Sequence, residues 1–218
     1  MSRRAIILIL LGLMVLIGCT QKSDRSKGVY MLLDTSGTYA VELKKAQSII
    51  NYLLGTLNPG DTLAVGRIDT GSFSEKDIIA KVTFDDRPSV SNNQKRAFKK
   101  YVDQFVTHVI QSSYTDISGG LLQAIEYLNE SGAGQKYILI FSDLQEELAK
   151  GHVRDVPFQL IGFKVIALNV TKLRNDIRDP KNYMQRVEEW REKTESGGGQ
   201  WRVMNDLERL ENIFVRAS

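Results

Sequence analysis

The sequence has a single cysteine, Cys19, so no intramolecular disulfide can brace the fold and an apolar core has to hold it. It has two histidines: His108 falls inside a helix pattern and His152 in a loop pattern, and neither has a flanking motif that would make it a catalytic base. No Gly-x-x-x-x-Gly-Lys phosphate loop occurs. The run Ser196-Gly197-Gly198-Gly199 precedes a strand pattern rather than a helix and reads as a flexible turn. No apolar run reaches the roughly 20 residues of a membrane helix; the leading one, Ala5 to Ile17, has 13. Charge imbalance is also lacking. The formal net charge is +3, and Arg3 and Arg4 supply two of those charges, so the chain beyond residue 18 carries +1. That removes the electrostatic case for nucleic-acid binding. No internal repeat and no second domain is visible in the 218 residues. With 42% hydrophobic and 25% charged residues, the composition excludes a disordered or collagen-like chain and suits one compact domain.

What is present begins with a leader. Arg3 and Arg4 precede the apolar run, which ends in Leu16-Ile17-Gly18-Cys19. A short apolar segment with positive residues before it and small residues after it is a secretory signal; an uncleaved anchor helix is the other reading. The Leu-Ile-Gly-Cys ending resembles the lipobox of bacterial lipoproteins. That resemblance implies a diacylglycerol on the Cys19 thiol, cleavage before Cys19 and acylation of the new amino group. Several acyl chains anchor stably where one does not. Thr20 follows the cysteine, so the aspartate retention signal of Gram-negative lipoproteins is missing, which favours an outer membrane where the cell has one. We therefore expect residues 1–18 to be a signal peptide, 19–27 the lipidated cysteine and a polar tether, and 28–218 the folded domain.

Within that domain, strand and helix patterns alternate. Gly28–Leu33, Thr62–Ile68, Tyr137–Phe141 and Phe163–Val170 read as strands. Ile78–Phe84 reads as a strand at an edge and Gln200–Met204 as a last one. Helical spacing covers Ala40–Leu57, Asn93–Ile110, Ser118–Asn129 and Tyr183–Thr194, with a short final helix over Leu207–Val215. Lys95, Arg96, Lys99 and Lys100 read as a solvated face, with a partner-binding patch as the alternative. The expected fold class is α/β: a Rossmann-like open, mostly parallel sheet with helices on both faces.

In such folds ligands sit beyond the carboxyl ends of the strands. Three segments fall there: Asp34-Thr35-Ser36-Gly37-Thr38, Ser113-Tyr114-Thr115-Asp116 and Ser142-Asp143. Their side chains are carboxylates and hydroxyls, with no His or Cys. Hard oxygen donors of this kind suit Mg²⁺, Mn²⁺ or Ca²⁺ rather than zinc. Asp61 reads as a turn residue opening a strand. Asp116 reads as the cap of the next helix or as an organiser of its loop.

These residues resemble the von Willebrand factor A domain, the fold of integrin I domains. Its metal-ion-dependent adhesion site follows Asp-x-Ser-x-Ser, then a distant Thr, then a distant Asp, matched here by Asp34, Ser36 and Thr38, then Thr115, then Asp143. The resemblance extends to Leu57–Val65, to Thr115-Asp116-Ile117 with Gly120-Leu121, and to Gly162–Ile166. It implies that Ser36 and Thr38 bind the metal directly, that Thr115 does so when a ligand is bound, and that Asp34 and Asp143 act mostly through coordinated water. The implied function is capture of a protein partner's acidic residue, not catalysis. Thr38 replaces the second serine but keeps the hydroxyl; Leu144 stands where glycine is common. A family fold that had lost its metal would use Asp34 and Asp143 as helix caps. Asp34-Thr35-Ser36-Gly37-Thr38 also looks like the Asp-Lys-Thr-Gly-Thr of P-type ATPases and haloacid dehalogenase-like phosphotransferases. There Asp34 would be the nucleophile, but no lysine or paired acid stands out for that chemistry.

Overall fold

In the computed structural model the described residues are 25–214, except 38, 40–41, 70, 72–73, 152, 155, 172–175 and 177–178. The leader, Cys19, Thr38, Ala40, His152 and Val215 lie outside them. The strands are β1 (Lys27–Asp34), β2 (Thr62–Ile68), β3 (Ile78–Thr83), β4 (Gln135–Phe141), β5 (Phe163–Leu168) and β6 (Gln200–Met204). The helices are α1 (Leu43–Thr56), α2 (Pro88–His108), α3 (Ile117–Ser131) and α4 (Pro180–Ser196), followed by a 3₁₀ segment over Leu207–Ile213. The sheet order is β3-β2-β1-β4-β5-β6. All pairs are parallel except β2–β3, which makes β3 an antiparallel edge.

β1 is central and covered on both sides, so its apolar run is continuous. Successive side chains go to opposite faces. Val29, Met31 and Leu33 join one core cluster with Ile50 and Leu53 of α1 and Phe98 and Val102 of α2. Tyr30 and Leu32 join the other, with Leu121 and Leu128 of α3 and Trp190 of α4. The apolar stripe of α1, including Ala46, Ile49, Ile50 and Leu53, is buried as its helical spacing requires. α3 approaches β1 closely at Gly120, where a Cβ would come within 3.0 Å of Leu32 Cδ2. No helix among the described residues is long and apolar enough to cross a membrane.

Two helices start earlier than their apolar periodicity suggests. Pro88 and Pro180 each occupy the first turn, where a missing N–H costs nothing. Asp179 caps α4 by accepting from Lys181 N–H at 3.1 Å. The Gly197–Gly199 turn is packed rather than flexible. A Cβ at Gly197 would lie 2.6 Å from the Phe158 carbonyl oxygen, and Gly197 O accepts from Leu160 N–H at 2.8 Å. Asp61 joins the turn before β2 to the start of β1, accepting from Asn58 N–H at 2.8 Å and Lys27 N–H at 2.7 Å. On α2, Lys95 Nζ donates to the Leu57 carbonyl and Lys99 pairs with Asp103 at 2.7 Å. Part of that basic face is thus consumed by contacts inside the chain.

Candidate functional site

Asp34 ends β1 and is fully buried. Its Oδ1 accepts from Ser36 N–H at 2.8 Å and its Oδ2 from Ser142 Oγ at 2.6 Å. The Ser142 hydroxyl also accepts from Leu144 N–H at 3.0 Å, so one side chain joins the ends of β1 and β4. Asp143 accepts from Gln145 N–H at 2.9 Å. Neither aspartate caps a helix: the cap position of α1 is Glu42 and that of α3 is Asp116. Asp116 accepts from Gly119 N–H at 2.7 Å and pairs with Arg154 at 2.9 Å.

The loop between α2 and α3 lies across the strand ends. Ser112 N–H donates to the Thr35 carbonyl at 2.9 Å, and Gly37 N–H donates to the Ser112 carbonyl at 3.3 Å. Thr115 and Glu147 exchange two backbone hydrogen bonds, at 2.8 and 2.9 Å. Tyr39 fixes the loop after β1 from below; its hydroxyl donates to the Asn169 carbonyl at 2.5 Å and its ring packs edge-on against Phe141.

These contacts bring Ser36, Thr115 and Asp143 to one cavity of about 460 Å³, whose other lining residues are Gly37, Gln111, Ser112, Ser113, Gln145 and Glu147. Asp34 lies beneath, linked through Ser36. Ile110 and Tyr114, each next in the chain to a lining residue, are exposed apolar side chains, at 86% and 39% exposure. No lysine, arginine or histidine is among the described lining residues. Burial pushes the Asp143 carboxyl up to about 6, opposed by the Gln145 N–H and reinforced by the Asp34 charge. Burial also pushes the Asp34 carboxyl up, opposed by hydrogen bonds from Ser142 and Ser36. Hydroxyls and two buried carboxylates, with no cationic side chain among the described lining residues, form a donor set that fits a hard divalent cation. No group of three His, Cys, Asp or Glu side chains suited to a metal occurs among the described residues, so the set depends on its hydroxyls. A nucleophilic Asp34 fits less well, since both its oxygens are engaged and no lysine is among the described lining residues.

Four contributors are not evident in the sequence pattern. Ser142 precedes Asp143 but its bridging role requires β1 and β4 to be neighbours. Glu147 reaches the cavity through its pairing with Thr115. Arg186 and Trp190 belong to α4, one turn apart. Arg186 Nε donates to the Asp143 carbonyl at 3.0 Å, and Trp190 Nε1 donates to the Leu144 carbonyl at 3.1 Å.

Leu144 has φ 66°, the left-handed region, which explains why glycine is common at this place in the resembling domains. Its side chain is nonetheless buried in the core around α3 and α4. Leu144→Gly relieves backbone strain of about 1–2 kcal/mol but removes a buried side chain whose truncation typically costs about 2–5 kcal/mol. The expected outcome is a net loss of stability, smaller for Leu144→Gly than for Leu144→Ala, which keeps the strain. Urea unfolding of both variants measures this; an alanine variant at least as stable as the glycine variant would show that the left-handed backbone stores no strain.

The strand order, the antiparallel edge and the position of the cavity at the ends of β1 and β4 define a von Willebrand factor A-type fold. No protein-family profile matches the sequence, and no curated protein sequence does. Among solved structures, a von Willebrand factor type A protein from Catenulispora acidiphila is similar with a TM-score of 0.53 and 13% identity, covering 85% of this chain and 40% of that one. The pilus adhesin SpaC from Lactobacillus rhamnosus GG, in an open conformation, is similar with a TM-score of 0.51 and 12% identity, covering 85% and 28%. The chain therefore spans less than half the length of either, and at these identities the likeness is one of fold.

Proposed function

We propose that this protein is a lipid-anchored binding module of the bacterial cell envelope that captures a protein partner through a divalent cation, and that it is not an enzyme. The observation that carries the reading is the meeting of Ser36, Thr115 and Asp143 at one cavity above buried Asp34, with no basic side chain among its described lining residues. Ser36, Thr38 and Thr115 would hold Mg²⁺, or Mn²⁺ or Ca²⁺, by their hydroxyls, with Asp34 and Asp143 orienting water and balancing charge. The bound cation would supply an open coordination position for an acidic residue of the partner. Ile110 and Tyr114 would meet the partner's surface beside it.

The proposed anchor and the cavity would lie at opposite ends of β1. β1 starts at Lys27 and ends at Asp34, so its eight residues separate the tether from the cavity by about 25 Å at about 3.3 Å per residue. Lipid on Cys19 would hold the amino end of the sheet towards the membrane, with the cavity opening away from it.

Calorimetry on the purified full chain in detergent tests the reading. The expected result is saturable Mg²⁺ or Mn²⁺ binding in wild type, lost in Asp34→Ala. Absence of binding to wild type at millimolar metal sinks the metal mechanism, and a phosphoryl adduct on Asp34 after acetyl phosphate treatment replaces it with phosphotransfer.

A further inference from the structure

Glu147 lines the same cavity as Ser36, Thr115 and Asp143. Its backbone is held in place by the two hydrogen bonds exchanged with Thr115. Its carboxylate is oriented by Gln145, whose Nε2 donates to Glu147 Oε1 at 2.6 Å. The residue is exposed at the cavity mouth, whereas Asp34 and Asp143 are buried.

Charge counting gives this position a consequence. Asp34 and Asp143 together neutralise a divalent cation. A third carboxylate at the mouth leaves the loaded site with an excess negative charge, which opposes the approach of a partner's carboxylate. An anion tethered beside the site also has a local concentration in the millimolar range or above, which a free carboxylate would have to exceed.

We propose that Glu147 is the chain's own anionic ligand on the outward side of the cation, and that an acidic partner engages the site by displacing it. This rests on the metal-binding reading above. Displacement makes the site selective: a lone carboxylate competes poorly, and a partner must add further contacts, for which exposed Ile110 and Tyr114, the chain neighbours of lining residues Gln111 and Thr115, are at hand.

The test uses the full chain in detergent loaded with Mn²⁺, with water-proton relaxation reporting both affinity and the number of exchangeable waters on the ion. Glu147→Gln keeps the size of the side chain and every backbone hydrogen bond. As an exposed substitution it is expected to leave the metal-free thermal midpoint within about 2 °C of wild type. Its Mn²⁺ affinity is expected to fall by about tenfold, the bound ion to gain one exchangeable water, and acetate to displace that water at lower concentration than in wild type. An unchanged affinity and water count in Glu147→Gln, with Mn²⁺ binding still lost in Asp34→Ala, overturns the role of Glu147 and leaves the metal site standing. An acetate response equal to wild type overturns the displacement step. A wild type that takes up no Mn²⁺ removes both proposals together.

Discussion

Asp143→Asn is expected to make the metal-free protein more stable at neutral pH and to make it indifferent to Mg²⁺. The carboxyl sits at about 6 in the fold against 3.8 for its unperturbed value, chiefly because it is buried. A folded value above the unfolded one means that this group's contribution to stability is fully present below about pH 4 and is lost as the pH rises through about 6. The difference corresponds to at most about 3 kcal/mol at neutral pH, at 1.36 kcal/mol per unit. Asparagine has the same shape, can still accept from Gln145 N–H, and carries no charge to bury. With chelator present at pH 7.5 the variant should therefore melt about 3–8 °C above wild type. Near pH 4 the two should coincide.

Saturating Mg²⁺ should reverse that order. A cation that binds only the folded state at 100 times its dissociation constant adds about 2.7 kcal/mol to wild type, and the variant, lacking the site's charge balance, gains nothing. Thermal melts at two pH values with and without Mg²⁺ contain the whole prediction. If the metal-free variant is less stable than wild type at pH 7.5, Asp143 serves the fold rather than the site. The buried Asp34 contributes with the same sign, so acidification of the metal-free protein from pH 7 to 5 should raise its melting temperature wherever these two carboxyls dominate.

The sequence and the structure agree most closely where one residue's environment is fixed by its own neighbours in the chain. The run Tyr137–Phe141 can only be a strand buried on both faces, and it is one. Asp61 and Asp116 each form one hydrogen bond three residues away, at Asn58 and Gly119, so turn and cap were readable, whereas their bonds to Lys27 and Arg154 were not. The ends of α2 and α4 were less so. Proline in the first helical turn interrupts the apolar period without interrupting the helix. The cavity divides in the same way. The order of Asp34, Ser36, Thr115 and Asp143 along the chain could be read as a pattern, because each follows a strand or precedes a helix. The contacts of Glu147 and Arg186 could not. Both belong to segments rich in charge, where a solvated face is the default reading, and each meets its partner across 32 and 43 residues of chain respectively.

Arg186 shows how much such a residue can carry. Its guanidinium donates to both oxygens of Asp176, at 2.9 and 2.8 Å, while its Nε holds the Asp143 carbonyl. The two side chains are 13% and 1% exposed, so the pair lies largely out of water. Such a pair adds little over an apolar replacement, but removing one partner leaves a buried charge uncompensated and costs about 3–5 kcal/mol. Arg186→Ala is expected to lose that much in urea unfolding and roughly 10 °C in melting temperature. Adding Asp176→Ala should restore part of it, because the buried carboxylate that loses Arg186 as a partner is then gone. The Asp143 carbonyl stays without its donor in the double variant, so Mg²⁺ binding should remain about 10- to 100-fold weaker even after stability returns. Arg186→Lys should fall between, since one ammonium cannot fork to Asp176 and also reach Asp143. Stability and metal affinity returning together in the double variant would mean that Arg186 acts on the site only through Asp176. Stability returning alone would assign it a direct hold on the loop that carries Asp143.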